Sequence, residues 1–415
     1  MNGDFAGMER IKRECFVQWL NKWRGKDIIK VVTGIRRCGK STLFDIYRAT
    51  LLAEGVAEDK ILAFNFEDPD LGEFASFRDA WDFVVSKMPD RDAKYSIFLD
   101  EVQNIPQFER LVDGLFAQKR ADIYITGSNA KFLSGELGTF LTGRYVEIEM
   151  QTLSFAEWLT SQVGDKAAMP IATNELLLRY VREGGFPFVA AEHLDARARR
   201  DYLTGVMNTI LYKDVAERKQ VRDLAMLNRV VRFLFDNIGN LTSVNRIVGA
   251  LKNGGTAITN ATVDAYIEAL IEAFLVYRVP RYDIKGKQYL QTNAKYYLAD
   301  TGLRYALLGE KAADYGHVLE NVVFLELNRR YDAVYVGQLP NGEVDFVAVK
   351  DGMPTYWQVA LTLRDEAVLA RELKPLLAIS DQYPKHLLTL DPDPPFDHNG
   401  IRQSSVADFL MQAMI

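Results

Sequence analysis

One short segment near the start of the chain constrains its fold more than any other. The segment reads Gly34, Ile35, Arg36, Arg37, Cys38, Gly39, Lys40, Ser41 and Thr42. The β-rich run 28–33 precedes it and a helical pattern follows, which is the strand–loop–helix context that a G-x-x-x-x-G-K-S motif requires. Glycines let backbone N–H groups wrap phosphate oxygens, and the following helix directs its positive end at them. The sequence therefore predicts a phosphate loop over residues 34–42.

Two residues of this loop carry specific chemistry. Lys40 is expected to place its ammonium between the β- and γ-phosphates of a nucleotide, and Ser41 its hydroxyl on Mg²⁺. The predicted cofactors are therefore ATP or ADP and Mg²⁺. The alternative, a glycine turn that binds nothing, is disfavoured because the lysine, the serine and both flanks agree with the motif.

An acidic pair follows the predicted strand 95–100. Asp100 is expected to hold Mg²⁺, directly or through water, and Glu101 to orient or deprotonate the attacking water. The alternative is a pair of solvated acids after a buried strand. Asn65, at the end of another strand, could contact Glu101 and hold it inactive, although a strand-end asparagine without a role is favoured.

Polar residues also follow the predicted strand 122–126. Ser128 or Asn129 could contact the γ-phosphate or the attacking water, and Thr126 is a less favoured choice. An ordinary turn is a serious alternative for this segment.

Arg144 lies beyond that strand, in the sequence Leu-Thr-Gly-Arg. An arginine supplied by a neighbouring subunit can stabilise the charge on a transferring phosphoryl group. The alternative is a surface arginine in a salt bridge.

The order of the patterns predicts the architecture. Strand-like runs alternate with helix-length segments, which favours a parallel sheet covered by helices. The four runs are 28–33, 61–66, 95–100 and 122–126. Residues 151–200 look mostly helical, with a break at Gly184-Gly185-Phe186-Pro187.

The second half of the chain has a different pattern. Helical patterns at 223–238, 243–252 and 262–274 precede a predicted hairpin, which is typical of a winged helix; Thr262 could cap the third helix. A helix at 318–330 and three strands then predict a further α/β domain.

The predicted hairpin, or wing, is basic. Between 278 and 295 the cations are Arg278, Arg281, Lys285, Lys287 and Lys295, against the single acid Asp283. A wing with net charge +4 could follow DNA phosphates. A solvated hairpin, or one that contacts only protein, is the alternative.

Composition excludes several classes of protein. The net charge of −6 argues against indiscriminate nucleic-acid or membrane binding. Two cysteines and four scattered histidines exclude a disulfide scaffold and offer no metal-ligand spacing. A charged N-terminus and the lack of a long apolar run predict a cytoplasmic protein without a membrane partner.

Together the motifs resemble a known family. In order, they are GIRRCGKSTLF, YSIFLDEVQNIPQFE, IYITGSNAKFLS, LTGRYVEIEMQTLSFAEWL, EGGFPFV and ILYKDVAER. The chain resembles prokaryotic AAA+ (AAA-type) ATPases with a winged helix and a restriction-endonuclease-like C-terminal domain, from about residue 25 to about 365. The resemblance implies an α/β fold with a P-loop core (1–150), a helical lid (151–205), a winged helix (206–300) and a nuclease-like domain (301–415). It also implies nucleotide sites at the subunit interfaces of a ring, a hexamer in this family, and favours Arg144 as the arginine finger.

The nuclease-like domain departs from its pattern. Such nucleases hold divalent cations with acids on a helix and a hairpin, and add a lysine. Glu320 supplies the helix acid, Asp345 and Gln358 the strand positions, and Ala360 stands where the lysine belongs. We therefore expect a degenerate domain that does not cut DNA.

Three functions remain open from sequence. The first is an oligomeric ATPase that acts on double-stranded DNA, and the second is the same ATPase acting on a protein partner. The third is a switch that binds ATP and hydrolyses it slowly, against which Glu101 and Arg144 argue.

Overall fold

The computed structural model describes residues 11–130, 141, 143–163, 170–253, 258–310 and 315–412. The chain divides into two compact units. Unit 1 consists of Met1–Thr152 with Glu272–Phe274, and unit 2 of Leu153–Ile271 with Leu275–Ile415.

Unit 1 is built on a five-stranded parallel sheet. Its strands are β1 (Ile29–Thr33), β2 (Ile61–Asn65), β3 (Tyr95–Asp100), β4 (Ala121–Gly127) and β5 (Tyr145–Glu149), in the order β2-β3-β4-β1-β5. The described helices are Glu14–Trp23, Lys40–Ala53, Phe77–Ser86 and Phe108–Ala117. The four predicted strands are confirmed; β5 was not predicted.

Strand order places the phosphate loop. All five residues of β1 are buried, as expected for a central parallel strand covered on both faces. β1 lies between β4 and β5, and β3 lies on the far side of β4. The loop after β1 therefore emerges at the same sheet edge as the ends of β3 and β4, where open α/β sheets bind ligands.

In unit 2, a series of helices precedes the strands of the sheet along the chain. The helices before the sheet are Phe155–Val163, Pro170–Glu183, Pro187–Glu192, Ala196–Thr209, Leu224–Asp236, Val244–Asn253 and Asn260–Glu272, with a π-helix at Ile210–Glu217. The final residue of the helix Asn260–Glu272 is counted with unit 1. The three helices predicted between 223 and 274 are confirmed to within two residues at each end. Thr262 is not the cap, because its own N–H donates to the Thr259 hydroxyl at 3.2 Å.

An eight-stranded mixed sheet completes unit 2. Its strands are β6 (Val276–Asp283), β7 (Gln288–Leu298), β8 (Ala333–Leu339), β9 (Gly342–Lys350), β10 (Met353–Ala360), β11 (Lys385–Thr389), β12 (Phe396–His398) and β13 (Ile401–Ser405), in the order β12-β13-β11-β10-β9-β8-β6-β7. Helices Thr301–Leu308, Tyr315–Arg330, Glu366–Leu377 and Val406–Met411 accompany it.

The predicted wing is part of this sheet. β6 and β7 form the expected antiparallel hairpin, and β6 also pairs in parallel with β8 through Arg281–Asp283. Hairpin and nuclease-like strands therefore form one sheet, and the four-domain division with its boundaries stays a prediction. In the described part of the chain, none of the helices has the length and apolar character needed to cross a membrane.

Candidate nucleotide site and a buried lysine among carboxylates

The phosphate loop makes a close backbone turn at each of its glycines. Gly34 has φ +141°, and a Cβ placed on it would lie 2.1 Å from the carbonyl oxygen of Met150. Gly39 has φ +105° and immediately precedes the helix Lys40–Ala53. Any larger residue at Gly34 would collide with backbone, so this turn requires glycine.

Lys40 lies beneath the loop. Its ammonium donates to the carbonyl oxygens of Gly34 at 2.9 Å and Ile35 at 3.3 Å. It also lies 3.8 Å from Oε1 of Glu101, and Lys40 is only 4% exposed. The structure thus brings together the predicted phosphate-binding cation and the predicted general base.

The two predicted Mg²⁺ ligands also meet. Asp100 ends β3, and the hydroxyls of Ser41 and Thr126 hydrogen-bond its carboxylate. Burial raises the pKa of Asp100, against the lowering effect of those two hydrogen bonds. A hydroxyl and a carboxylate are oxygen ligands that suit Mg²⁺, so these residues fit the ion that the motif implies.

Thr126 has a larger part in the site than the sequence suggested. Besides donating to Asp100, its hydroxyl accepts a hydrogen bond from the backbone N–H of Glu101 at 2.9 Å. A threonine on β4 thereby fixes both members of the acidic pair at the end of β3.

Glu101 is held by side chains of two segments. Its carboxylate accepts from the Gln103 amide and lies 3.3 Å from the Ser128 hydroxyl. The Oδ1 of Asn65 accepts the N–H of Glu67 in a local turn at 3.0 Å, and a role of Asn65 toward Glu101 stays a prediction. The amide that contacts Glu101 comes from Gln103, two residues further along the chain.

The remaining predicted residues lie in different settings. Ser128 is fully buried and Asn129 is 8% exposed. Arg144 forms a half-exposed ion pair with Asp113 at 2.5 Å. A contact of Ser128 or Asn129 with the γ-phosphate or the attacking water stays a prediction, as does the role of Arg144 as an arginine finger.

Sequence reasoning missed Arg13. This residue precedes the helix Glu14–Trp23 and is 4% exposed. Its guanidinium donates to the carbonyl oxygens of Cys38, in the phosphate loop, at 3.3 Å and of Gln151 at 2.9 Å. Arg13 therefore ties the loop to the segment after β5. A cation before a helix carries no sequence signal for such a contact.

The nuclease-like acids surround a lysine from the hairpin. Lys295 of β7 is 3% exposed, and its ammonium lies 2.8 Å from Glu320, 2.7 Å from Glu343 and 3.9 Å from Asp345. Burial opposes the charge of Lys295, but the three carboxylates outweigh it and raise the lysine pKa. Burial and the Glu320 charge raise the pKa of Asp345 well above its usual range. Ala360, at the expected lysine position, packs in the apolar core.

The same contacts correct the predicted basic wing. Arg278 pairs with Glu268 at 2.6 Å, and Arg281 hydrogen-bonds Gln338. Lys295 is buried, so the prediction of five available cations is wrong. Among these five, Lys285 and Lys287 are the exposed ones.

Comparison with known proteins gives the family. An AAA-domain model matches residues 26–159, and a model for a domain of unknown function matches residues 174–314. An uncharacterized protein of Haemophilus influenzae is 39% identical over 97% of this chain and 99% of its own length. The chain belongs to the same family as this relative, and residues 26–159 are its AAA domain.

Two further matches extend the comparison. An uncharacterized protein of Methanocaldococcus jannaschii is 30% identical over 77% of this chain and 71% of its own length. The solved structure of a Walker-type ATPase of Pyrococcus abyssi aligns with 72% of this chain and 95% of its own, with a TM-score of 0.51 and 15% identity. That similarity shows a shared fold. The predicted P-loop AAA core is thus confirmed, whereas the winged-helix and nuclease-like assignments stay predictions.

Proposed function

We propose that this AAA protein binds and hydrolyses ATP with Mg²⁺. One observation carries the proposal. The ammonium of Lys40 lies 3.8 Å from Glu101, and next to them Ser41 hydrogen-bonds the carboxylate of Asp100. Cation, hydroxyl, metal-binding acid and candidate base therefore share one buried edge of a parallel sheet.

Each residue has a defined task in this proposal. The loop N–H groups and Lys40 bind the β- and γ-phosphates, and Ser41 with Asp100 would hold Mg²⁺, which neutralises charge on the phosphates. Glu101 orients the attacking water and takes up its proton. Gln103 and Ser128 orient the Glu101 carboxylate.

The proposal extends to a ring oligomer in which Arg144 reaches a neighbour's nucleotide. Support comes from the position of Arg144 near the surface, where its ion pair with Asp113 is half exposed. An exposed pair of this kind is worth little, about 0–1 kcal/mol, so Arg144 can exchange partners at small cost.

We propose that the protein uses ATP hydrolysis to act on DNA through the tip of the β6–β7 hairpin. Lys285 and Lys287 are exposed there. A protein partner is the second candidate, because Arg278, Arg281 and Lys295 are engaged within unit 2 and leave less charge for phosphates. Under either candidate we expect no DNA cleavage.

The test is steady-state ATPase turnover with a separate nucleotide-binding assay. Glu101→Gln should bind ATP but lose turnover by roughly 10²-fold, the scale of a lost general base. Lys40→Ala should lose binding itself. Glu58→Gln, an exposed acid of unit 1, serves as the matched control. Near-normal turnover in Glu101→Gln would contradict the assignment.

A further inference from the structure

A cation already lies among the nuclease-like acids, and it belongs to the chain. The Lys295 ammonium contacts Glu320 and Glu343 at 2.8 and 2.7 Å, with Asp345 at 3.9 Å. The hydroxyl of Tyr297 also donates to Glu320. The carboxylates come from the helix Tyr315–Arg330 and from β9, whereas the lysine comes from β7.

The ammonium stands where a divalent ion would have to stand. Carboxylate oxygens bind Mg²⁺ or Ca²⁺ at roughly 2.0–2.6 Å, so an ion bridging Glu320 and Glu343 would overlap the Lys295 nitrogen. Two cations cannot share that position. Because Lys295 is 3% exposed and its carbon chain is packed, the ammonium cannot easily swing out to solvent.

Other polar groups also lie near the three acids, among them the ring of His317, whose Nδ1 is 3.5 Å from Glu320. Asp345 accepts the Val359 N–H at 2.9 Å, and the Gln358 amide donates to Glu372 at 2.8 Å. The Val359 N–H holds the Asp345 carboxylate in place whether the neighbouring cation is an ammonium or a metal.

We propose that the Lys295 ammonium is the resident cation of this carboxylate site and excludes divalent metal from it. The three acids then form a site for Mg²⁺ or Mn²⁺ only when that ammonium is removed. Lys295 also joins the hairpin to the nuclease-like strands through its own charge. This inference does not depend on ATP hydrolysis.

The test measures Mn²⁺ binding to the full-length chain by electron paramagnetic resonance, without nucleotide. Lys295→Met matches the four-atom stem of the lysine and removes the ammonium. This variant should bind one additional Mn²⁺ with a dissociation constant below about 1 mM, the range of weak all-oxygen sites. Wild type and Lys295→Arg should lack this ion. Lys295→Met/Asp345→Asn should lose it, which separates the site from Mn²⁺ bound elsewhere.

Stability provides a second measurement. Mn²⁺ should raise the melting temperature of Lys295→Met and of Lys295→Gln by more than that of wild type, because the additional bound ion stabilises only the folded state that binds it. If wild type binds Mn²⁺ and the single change Asp345→Asn removes that ion, the proposal is overturned. A folded Lys295→Met that binds no additional ion would also overturn it, as would failure of both variants to fold even with Mn²⁺.

Discussion

Glu101 illustrates how single residues of the nucleotide site depart from ordinary geometry. Its backbone lies in the left-handed region, with φ +50°, a conformation that costs a non-glycine residue about 1–3 kcal/mol. The Thr126 hydroxyl holds its N–H, and Gln103 holds its carboxylate. Such strain persists where surrounding contacts impose it, which agrees with a residue kept for chemistry rather than stability.

Arg13 provides a prediction at the same scale. Arg13→Ala removes the donors to Cys38 and Gln151, and should raise the KM for ATP about 10-fold or more, since a hydrogen bond from a charged group contributes roughly 1.5–3 kcal/mol. Turnover at saturating ATP should fall much less, because these hydrogen bonds end on backbone carbonyl oxygens and position the loop. Kinetics as a function of ATP concentration separate the two effects.

Controls for this variant are available in the same helix region. Arg13→Lys retains the charge and should recover part of the affinity, whereas Arg24→Ala removes only an exposed pair with Glu54 and should match wild type. A fall in kcat without a change in KM would contradict the positioning role.

At the scale of elements, the junction between β1 and β5 depends on one glycine. Gly34→Ala would place a methyl group 2.1 Å from the Met150 carbonyl oxygen and should displace the loop. We expect loss of ATP binding and a fall of about 1–3 kcal/mol in the free energy of unfolding, the usual cost of overpacking. Chemical denaturation and nucleotide titration measure the two effects.

Gly205 offers a matched control. It lies within the helix Ala196–Thr209, and no atom would contact an added Cβ. Gly205→Ala should therefore stabilise the protein by up to about 1 kcal/mol, from helix propensity alone. If Gly34→Ala were equally harmless, the close approach to Met150 would not constrain the loop.

The hairpin tip carries the prediction about DNA. Lys285→Glu/Lys287→Glu should abolish DNA binding. The binding of wild type should weaken steeply as the salt concentration rises, since phosphate contacts release counterions. Arg371→Glu/Lys374→Glu makes the same charge change on the exposed face of the helix Glu366–Leu377 and should leave binding intact. Fluorescence anisotropy of labelled DNA at two salt concentrations measures the binding of wild type and both variants. Absence of DNA binding by wild type at low salt would favour a protein partner.

Sequence reasoning succeeded where the signal is local. The strand–loop–helix of residues 34–42, the strand before Asp100 and the helices after 223 each follow from spacing within one segment. It failed where contacts join distant segments: Arg13 with Cys38, Thr126 with Asp100, and Lys295 with Glu343. A count of cations between 278 and 295 could not reveal that Lys295 lies inside the fold, because burial depends on the carboxylates of a later helix and strand.

At the scale of the whole molecule, the paired surface position of Arg144 leads to a prediction about assembly. Arg144→Ala should bind ATP but hydrolyse it roughly 10³-fold more slowly, the scale of a lost arginine finger. Asp113→Asn removes the other half of the ion pair while leaving the arginine available, so its turnover should equal or exceed that of wild type. Equal losses in both variants would indicate that the ion pair is merely structural.

Subunit mixing then distinguishes action across an interface from action within one chain. If Arg144 serves a neighbour's nucleotide, a mixed oligomer of Arg144→Ala and Glu101→Gln contains interfaces that pair an intact Arg144 with an intact Glu101. Mixing the two inactive proteins should therefore restore part of the ATPase rate, with a maximum at intermediate ratios. Mixing Glu101→Gln with Lys40→Ala is the matched control, because both residues would act on the nucleotide bound by their own chain. No mixture of these two variants contains a chain in which both residues are intact. Mixtures of the first pair that stay inactive at every ratio, in samples shown by light scattering to co-assemble, would mean that Arg144 acts within its own chain or has no catalytic role.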